Sequence, residues 1–200
     1  MTETRSVFPA LRCKMGERYY YVTYLTFADV AKWIKKTEEV HTSKKLSDWI
    51  QRTLDDEHAG RIAKYLRTSP DRFFNAIVVG VYRGEPAWDP IEVSPPKRRG
   101  LELIEADVEH LQSSLGVLVF NGDERLFAID GQHRVAGIKA AIADGRDGLA
   151  NDEIAVVFVG HRTNAKGMAS TRKLFVTLNK TARRVSDRAR RPMPSKKEAL

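Results

Sequence analysis

Apolar residues in this chain gather in short β-branched or aromatic runs, and these alternate with stretches of helical spacing. Residues 7–24 read as strand material, with Phe8 and Leu11 before a turn at Met15-Gly16 and Tyr19-Tyr20-Tyr21-Val22-Thr23-Tyr24 after it. Thr26 and Asp29 have the spacing of a capping box, although Asp is a shorter partner than Glu. They open a helix in which Phe27, Val30, Trp33 and Ile34 share a face. A polar stretch over 38–45 and a short apolar segment at Leu46, Trp49 and Ile50 follow. Leu54-Asp55-Asp56-Glu57 then starts a second helix with acids in its first turn, where the dipole favours them. Ile62, Tyr65 and Leu66 are expected on its buried side, and Ser69-Pro70-Asp71 ends it.

The run from Phe74 to Tyr82 carries the strongest strand signal, and its near-continuous apolar character predicts burial on both faces. Gly84 breaks it, residues 86–93 suit a short edge element, and residues 95–100 form a basic loop. Residues 101–115 give a weak strand signal and then a weak helical one. Gly116–Phe120 and Arg125–Ile129 read as two strands, and the Asn121-Gly122 between them predicts a hairpin because both residues tolerate positive φ. Val135, Ile138 and Ile142 recur at helical spacing, Gly145–Gly148 closes that helix, and Ile154–Val159 is another strand. A last helix runs from about Asn164 or Ser170 to Thr181, with Leu174, Phe175 and Leu178 inward and Arg172, Lys173 and Lys180 outward. There is no internal repeat. This alternation predicts a mixed α+β domain over residues 1–186.

Composition narrows the class. A chain of 200 residues with 42% hydrophobic and 30% charged residues can bury one sizeable core. No run approaches the roughly 20 apolar residues of a membrane span, and the first residues lack a signal-peptide core, so a cytoplasmic location is expected. Cys13 is the single cysteine, which leaves no disulfide framework and no cysteine-based zinc site, and it reads as an ordinary small residue. The net charge of +8 is unevenly placed: residues 161–200 hold 12 Lys and Arg against Asp187 and Glu198 alone. Concentrated basic charge is what nucleic-acid backbone binding uses. Residues 187–200 equally suit a disordered, solvated tail.

The residues with most chemical content are Asp130-Gly131-Gln132-His133-Arg134, set where a strand runs into a helix. First-turn amides and the helix dipole make such a junction an anion site. Asp130 can cap the helix, hold a metal or orient an imidazole, and Gly131 lets a ligand approach the backbone. Gln132 offers a donor and an acceptor, and His133 can act in proton transfer or bind a phosphate when charged. Arg134 suits a phosphate or carboxylate, or a structural pair with an acid such as Asp123 or Glu124. Residue chemistry alone stops at an anion-binding helix N-terminus.

The pentapeptide, within Phe127-Ala-Ile-Asp-Gly-Gln-His-Arg-Val-Ala-Gly137 and followed by Leu174-Phe-Val-Thr-Leu-Asn-Lys-Thr-Ala-Arg183, resembles the DGQHR-domain family. Arg52-Thr-Leu-Asp, Ile62-Ala-Lys-Tyr-Leu and the 74–82 strand look like the family's N-terminal part, so the resemblance spans about Phe8 to Ser186. Members include DndB-type proteins associated with DNA phosphorothioation, with a family role in transcriptional repression by DNA binding. Others accompany further DNA-modification systems, some with nucleotide hydrolysis. The order of elements also resembles the ParB/sulfiredoxin-like fold, a mixed sheet with flanking helices in which the equivalent turn holds nucleotide phosphates.

The resemblance implies a phosphate or nucleotide site at Gly131, Gln132, His133 and Arg134, with Arg52, Asn179 and Lys180 as weaker candidates. Together with the basic charge beyond residue 161 it implies DNA contacts from Arg172, Lys173, Lys180, Arg183 and Arg184, and it implies partners among the proteins of a DNA-modification system. A nucleoside-triphosphatase or nuclease in the same cleft is the alternative, with Asp130 and His133 catalytic and ATP or another nucleotide bound with Mg²⁺. No protein metal site is expected. DndB-type chains continue well past the Leu-Asn-Lys segment, so a truncated member, a short subfamily or a fragment lacking the DNA-reading half is a further expectation.

Overall fold

The structure, a computed structural model, describes residues 5–35, 56–94, 103–143, 145, 148–162 and 164–181, the last three (179–181) as backbone only. The apolar segment at Leu46, Trp49 and Ile50, the 95–100 loop and the 187–200 tail lie outside the described residues.

Two long strands, β1 (Ser6–Met15) and β2 (Arg18–Thr26), form an antiparallel hairpin. The Thr26 capping box is present: Asp29 N–H donates to Thr26 Oγ1 at 3.1 Å, and Thr26 N–H donates to Asp29 Oδ2 at 3.3 Å. It opens α1 (Phe27–Trp33), which passes into the two-residue strand β3 (Ile34–Lys35). Next come α2 (Asp56–Thr68), β4 (Ile77–Tyr82), β5 (Ala87–Pro90) and α3 (Glu105–Ser114). After these follow β6 (Leu115–Phe120), β7 (Arg125–Asp130) and α4 (Gln132–Ala143), then β8 (Glu153–Gly160) and α5 (Ala165–Thr181). The weak helical signal within 101–115 resolves as α3, while residues 101–102 lie outside the described residues. Tyr65, expected to be buried, is 36% exposed and lies at the rim of α2, where its hydroxyl accepts the Phe73 N–H.

Among the described residues, one mixed sheet holds all eight strands in the order β3-β7-β4-β8-β2-β1-β6-β5, and five α-helices flank it. Its pairs are antiparallel except β3 with β7 and β4 with β8. The described residues form an α+β fold, a mixed sheet with flanking helices, consistent with the ParB/sulfiredoxin-like class. As the apolar run predicts, β4 is central and buried on both faces.

The predicted hairpin at Asn121-Gly122 does not form. β6 pairs with β1 and β5, whereas β7 pairs with β4 and β3. The turn is local: the Glu124 carboxylate accepts the Asn121 and Gly122 N–H groups, and Asn121 Oδ1 accepts that of Asp123. Five strand spacings separate β6 from β7, about 24 Å if the sheet were flat. Four linking residues reach at most about 18 Å between strand ends. The sheet must therefore curl, and the Phe120 and Phe158 rings on β6 and β8 accordingly meet at 5.3 Å inside it.

The curl encloses the main core of Phe8, Leu25, Ile77, Val79, Leu118, Phe120, Leu126, Val156 and Phe158. α1, α2 and α4 close it through Val30, Ala63, Leu66, Val135 and Ile138. A second cluster sits on the other sheet face, where Tyr82, Phe127 and Ile129 receive Met168, Leu174, Phe175 and Leu178 of α5. Helices thus cover both faces at β7 and β4, the strands that lead into and brace the pentapeptide. Among the described residues no helix is long and apolar enough to cross a membrane.

Candidate functional site

Asp130 is the last residue of β7 and Gln132 the first of α4, so Gly131 alone makes the bend. Its φ of +88° is a conformation other residues rarely adopt, and a Cβ there would lie 2.7 Å from Ile77 Cγ2. The Gly131 carbonyl accepts the Val135 N–H at 2.9 Å, which closes the first turn. The amides of Gln132, His133 and Arg134 lie ahead of the helix's own hydrogen-bond ladder, at the positive end of its dipole.

Arg134 points inward. Its Nη1 donates to Asn75 O at 2.8 Å, Asn75 Oδ1 at 2.6 Å and Ala76 O at 2.7 Å. Its Nη2 donates to Asp130 Oδ2 at 2.6 Å. The side chain is only 14% exposed, so the guanidinium staples the end of β7 and the first turn of α4 to the segment entering β4. Its ionic partner is Asp130, not Asp123 or Glu124. The Asp130 carboxylate, a candidate cap, metal ligand or catalytic group, is held by that same bond. Gln132 Nε2 reaches back to Ala128 O at 3.4 Å.

His133 faces α2. Its ring meets the His58 ring edge to face, with centroids 4.8 Å apart and an interplanar angle of 68°. Arg61 Nη2 lies 3.3 Å from His58 Nδ1, and Arg61 Nη1 donates to Glu57 Oε1 at 2.7 Å. The approach of α2 to α4 depends on Gly137: a Cβ there would lie 2.2 Å from Ile62 Cγ2 and 3.2 Å from Ala59 O.

Together these groups line an open cleft of about 160 Å³, with His58 and Ile62 from α2, Ile129 to Arg134 as floor and one wall, and Phe175 from α5 opposite. That is smaller than the roughly 300 Å³ at which small-molecule sites begin, and it suits a phosphate group better than a whole nucleotide. A larger hollow of about 380 Å³ is lined by Pro70, Phe73, Phe74, Asn75 and Ala76 and by the Arg72–Asp152 ion pair. Its lining lacks the pentapeptide's histidine and first-turn amides, so the smaller cleft is the candidate site.

Of the residues expected here, Asp130, Gly131, Gln132, His133 and Arg134 come together. Arg52, Arg183 and Arg184 lie outside the described residues, as do the side chains of Asn179 and Lys180. Arg172 and Lys173 are exposed on the outer side of α5, away from the cleft lining. Sequence reasoning missed His58. The signal available was its spacing of four from Ile62, which places both on one flank of α2. Among the described residues no group of three or more His, Cys, Asp or Glu side chains is placed to hold a metal ion.

Fold and site together define an α+β protein whose strand-to-helix turn presents first-turn amides and paired imidazoles to a small cleft. The chain matches the DndB family, described as DNA-sulfur modification-associated, over residues 8–189, and belongs to it. Its context is therefore a DNA-modification system. No curated protein and no solved structure matches the chain.

Proposed function

We propose that the protein is a DNA-binding accessory or regulatory component of its DNA-modification system, with one DNA phosphate held at the Asp130–Arg134 turn. The observation that carries this reading is the double role of α5. Phe175 on its inner side walls the cleft, while Lys166, Arg172 and Lys173 are exposed on its outer side, and the helix contains no acid. A phosphate backbone following α5 would thus meet neutralising charge beside the cleft.

Within the cleft, the Gln132 and His133 amides and the His133 and His58 imidazoles are the phosphate-contacting groups of this reading. Arg134 is a positioning residue, because its fork is occupied by Asn75, Ala76 and Asp130. The small cleft volume favours a phosphate of a polymer over a free nucleotide.

The test is a fluorescence-anisotropy titration of the full chain with duplex DNA over a series of salt concentrations. Affinity should fall steeply with salt, and Arg172→Ala/Lys173→Ala should reduce the slope of log K against log salt by about 2. Binding that is absent, or insensitive to salt, overturns the reading.

A further inference from the structure

The β1–β2 hairpin extends past the sheet that carries it. β1 pairs with β6 only over Ser6–Leu11, and β2 pairs with β8 only over Tyr20–Thr26. The two strands remain paired with each other as far as Met15 and Arg18. Among the described residues, 12–19 therefore form a two-stranded ribbon with no third strand on either side. Such a projection forgoes the apolar burial that normally supports a strand pair, and Arg12 and Arg18 brace it against the body of the fold.

At its base, Arg12 stacks over the Trp88 ring at 4.2 Å and donates Nη2 to Ser113 O at 2.8 Å. On its outer flank, Arg18 Nη2 donates to Ser170 Oγ of α5. Within the ribbon itself, near its tip, the exposed Lys14 Nζ lies 5.5 Å from the Tyr19 ring centroid. The ribbon is thus held in one orientation, tied to the helix that carries Lys166, Arg172 and Lys173.

The tip is built for contact. Met15 is 73% exposed and Tyr19 51% exposed, and Arg12, Lys14 and Arg18 outnumber the single acid, Glu17. A two-stranded ribbon fits the DNA major groove, which is about 12 Å wide and 8.5 Å deep. We infer that this ribbon enters the major groove of duplex DNA lying along α5. Lys14 engages a flanking phosphate, and Met15 and Tyr19 meet base edges. The ribbon supplies the sequence-dependent part of recognition, and α5 the sequence-independent part. This rests on the DNA-binding reading above and adds the element that reads the groove.

The experiment uses the full chain and a mixed-sequence duplex about two helical turns long. Lys14→Ala/Tyr19→Ala should weaken binding roughly five- to tenfold and lower the salt slope by about 1. Its melting temperature should stay at the wild-type value, since both side chains project beyond the core. Lys64→Ala, on the exposed side of α2, should leave affinity and slope unchanged. A duplex whose cytosines carry glucosylated hydroxymethyl groups fills the major groove, and wild type should bind it no better than the double variant binds plain DNA.

If wild type binds plain DNA but the double variant binds equally well with the same slope, the ribbon inference fails and the DNA-binding reading stands. Equal wild-type affinity for the glucosylated duplex overturns the ribbon inference in the same way. No binding by wild type to either duplex overturns both.

Discussion

The imidazoles of His58 and His133 meet edge to face at 4.8 Å across the mouth of the cleft, although they belong to different helices. The contact exists because Gly137 lets α2 lie against α4. Ile62 occupies the space that any side chain at 137 would need. A packing glycine thereby sets the geometry of the candidate site.

Gly137→Ala should therefore destabilise the fold by about 1–3 kcal/mol through overpacking, lowering Tm by about 2–4 °C per kcal/mol. Adding Ile62→Ala should recover part of that loss, giving a favourable coupling in a double-mutant cycle. Denaturant unfolding of the four proteins measures it. Strictly additive losses would show that the two side chains do not compete for the same space.

Arg134→Lys keeps the charge but loses the fork that serves Asn75, Ala76 and Asp130 at once. It should cost about 1–3 kcal/mol, since two backbone carbonyls lose their donor. Arg72→Ala breaks a solvent-screened ion pair and should cost less than Arg134→Lys. Chemical unfolding at fixed pH compares the two. A smaller loss at Arg134 than at Arg72 contradicts the staple.

His161 is buried against Phe127 and Tyr82, and its Nδ1 lies 2.7 Å from Thr171 Oγ1 on α5. Thr171→Val is close in shape but removes that hydroxyl, at an expected cost of about 1–3 kcal/mol. Faster hydrogen exchange should be concentrated in the α5 amides, because the bond ties that helix to the sheet. Exchange that rises uniformly, or not at all, would place the anchorage elsewhere.

If the cleft takes a phosphate, adding inorganic phosphate should shift the ring resonances of both His58 and His133 in a proton–carbon correlation spectrum. His110, exposed on α3, should not move. Replacing Gly131 with Ala should abolish the response, because its φ of +88° and the proximity of Ile77 oblige the turn to rearrange. An equal shift at all three histidines indicates a general salt effect and removes the cleft from the proposal.

Much of this protein was legible one segment at a time. The Thr26 cap, the amphipathic faces of α1 and α5, the doubly buried β4 and the turn at Asp130–Arg134 all rest on residues within a few positions of one another. Short-range sterics and hydrogen bonding decide such features, so periodicity reveals them. The family resemblance likewise rests on contiguous motifs.

Tertiary structure alone decided what those segments meet. Asn121-Gly122 carries a hairpin signal, yet β6 pairs with β1 and β7 with β4, strands that lie far away in the sequence. Arg134, equally suited by its chemistry to a phosphate or an acid, turns inward because Asn75 and Ala76 present carbonyls from another strand's approach. His58 joins the cleft because a glycine on α4 admits α2. Each of these outcomes depends on contacts between residues far apart in the chain, and local propensity carries no information about them.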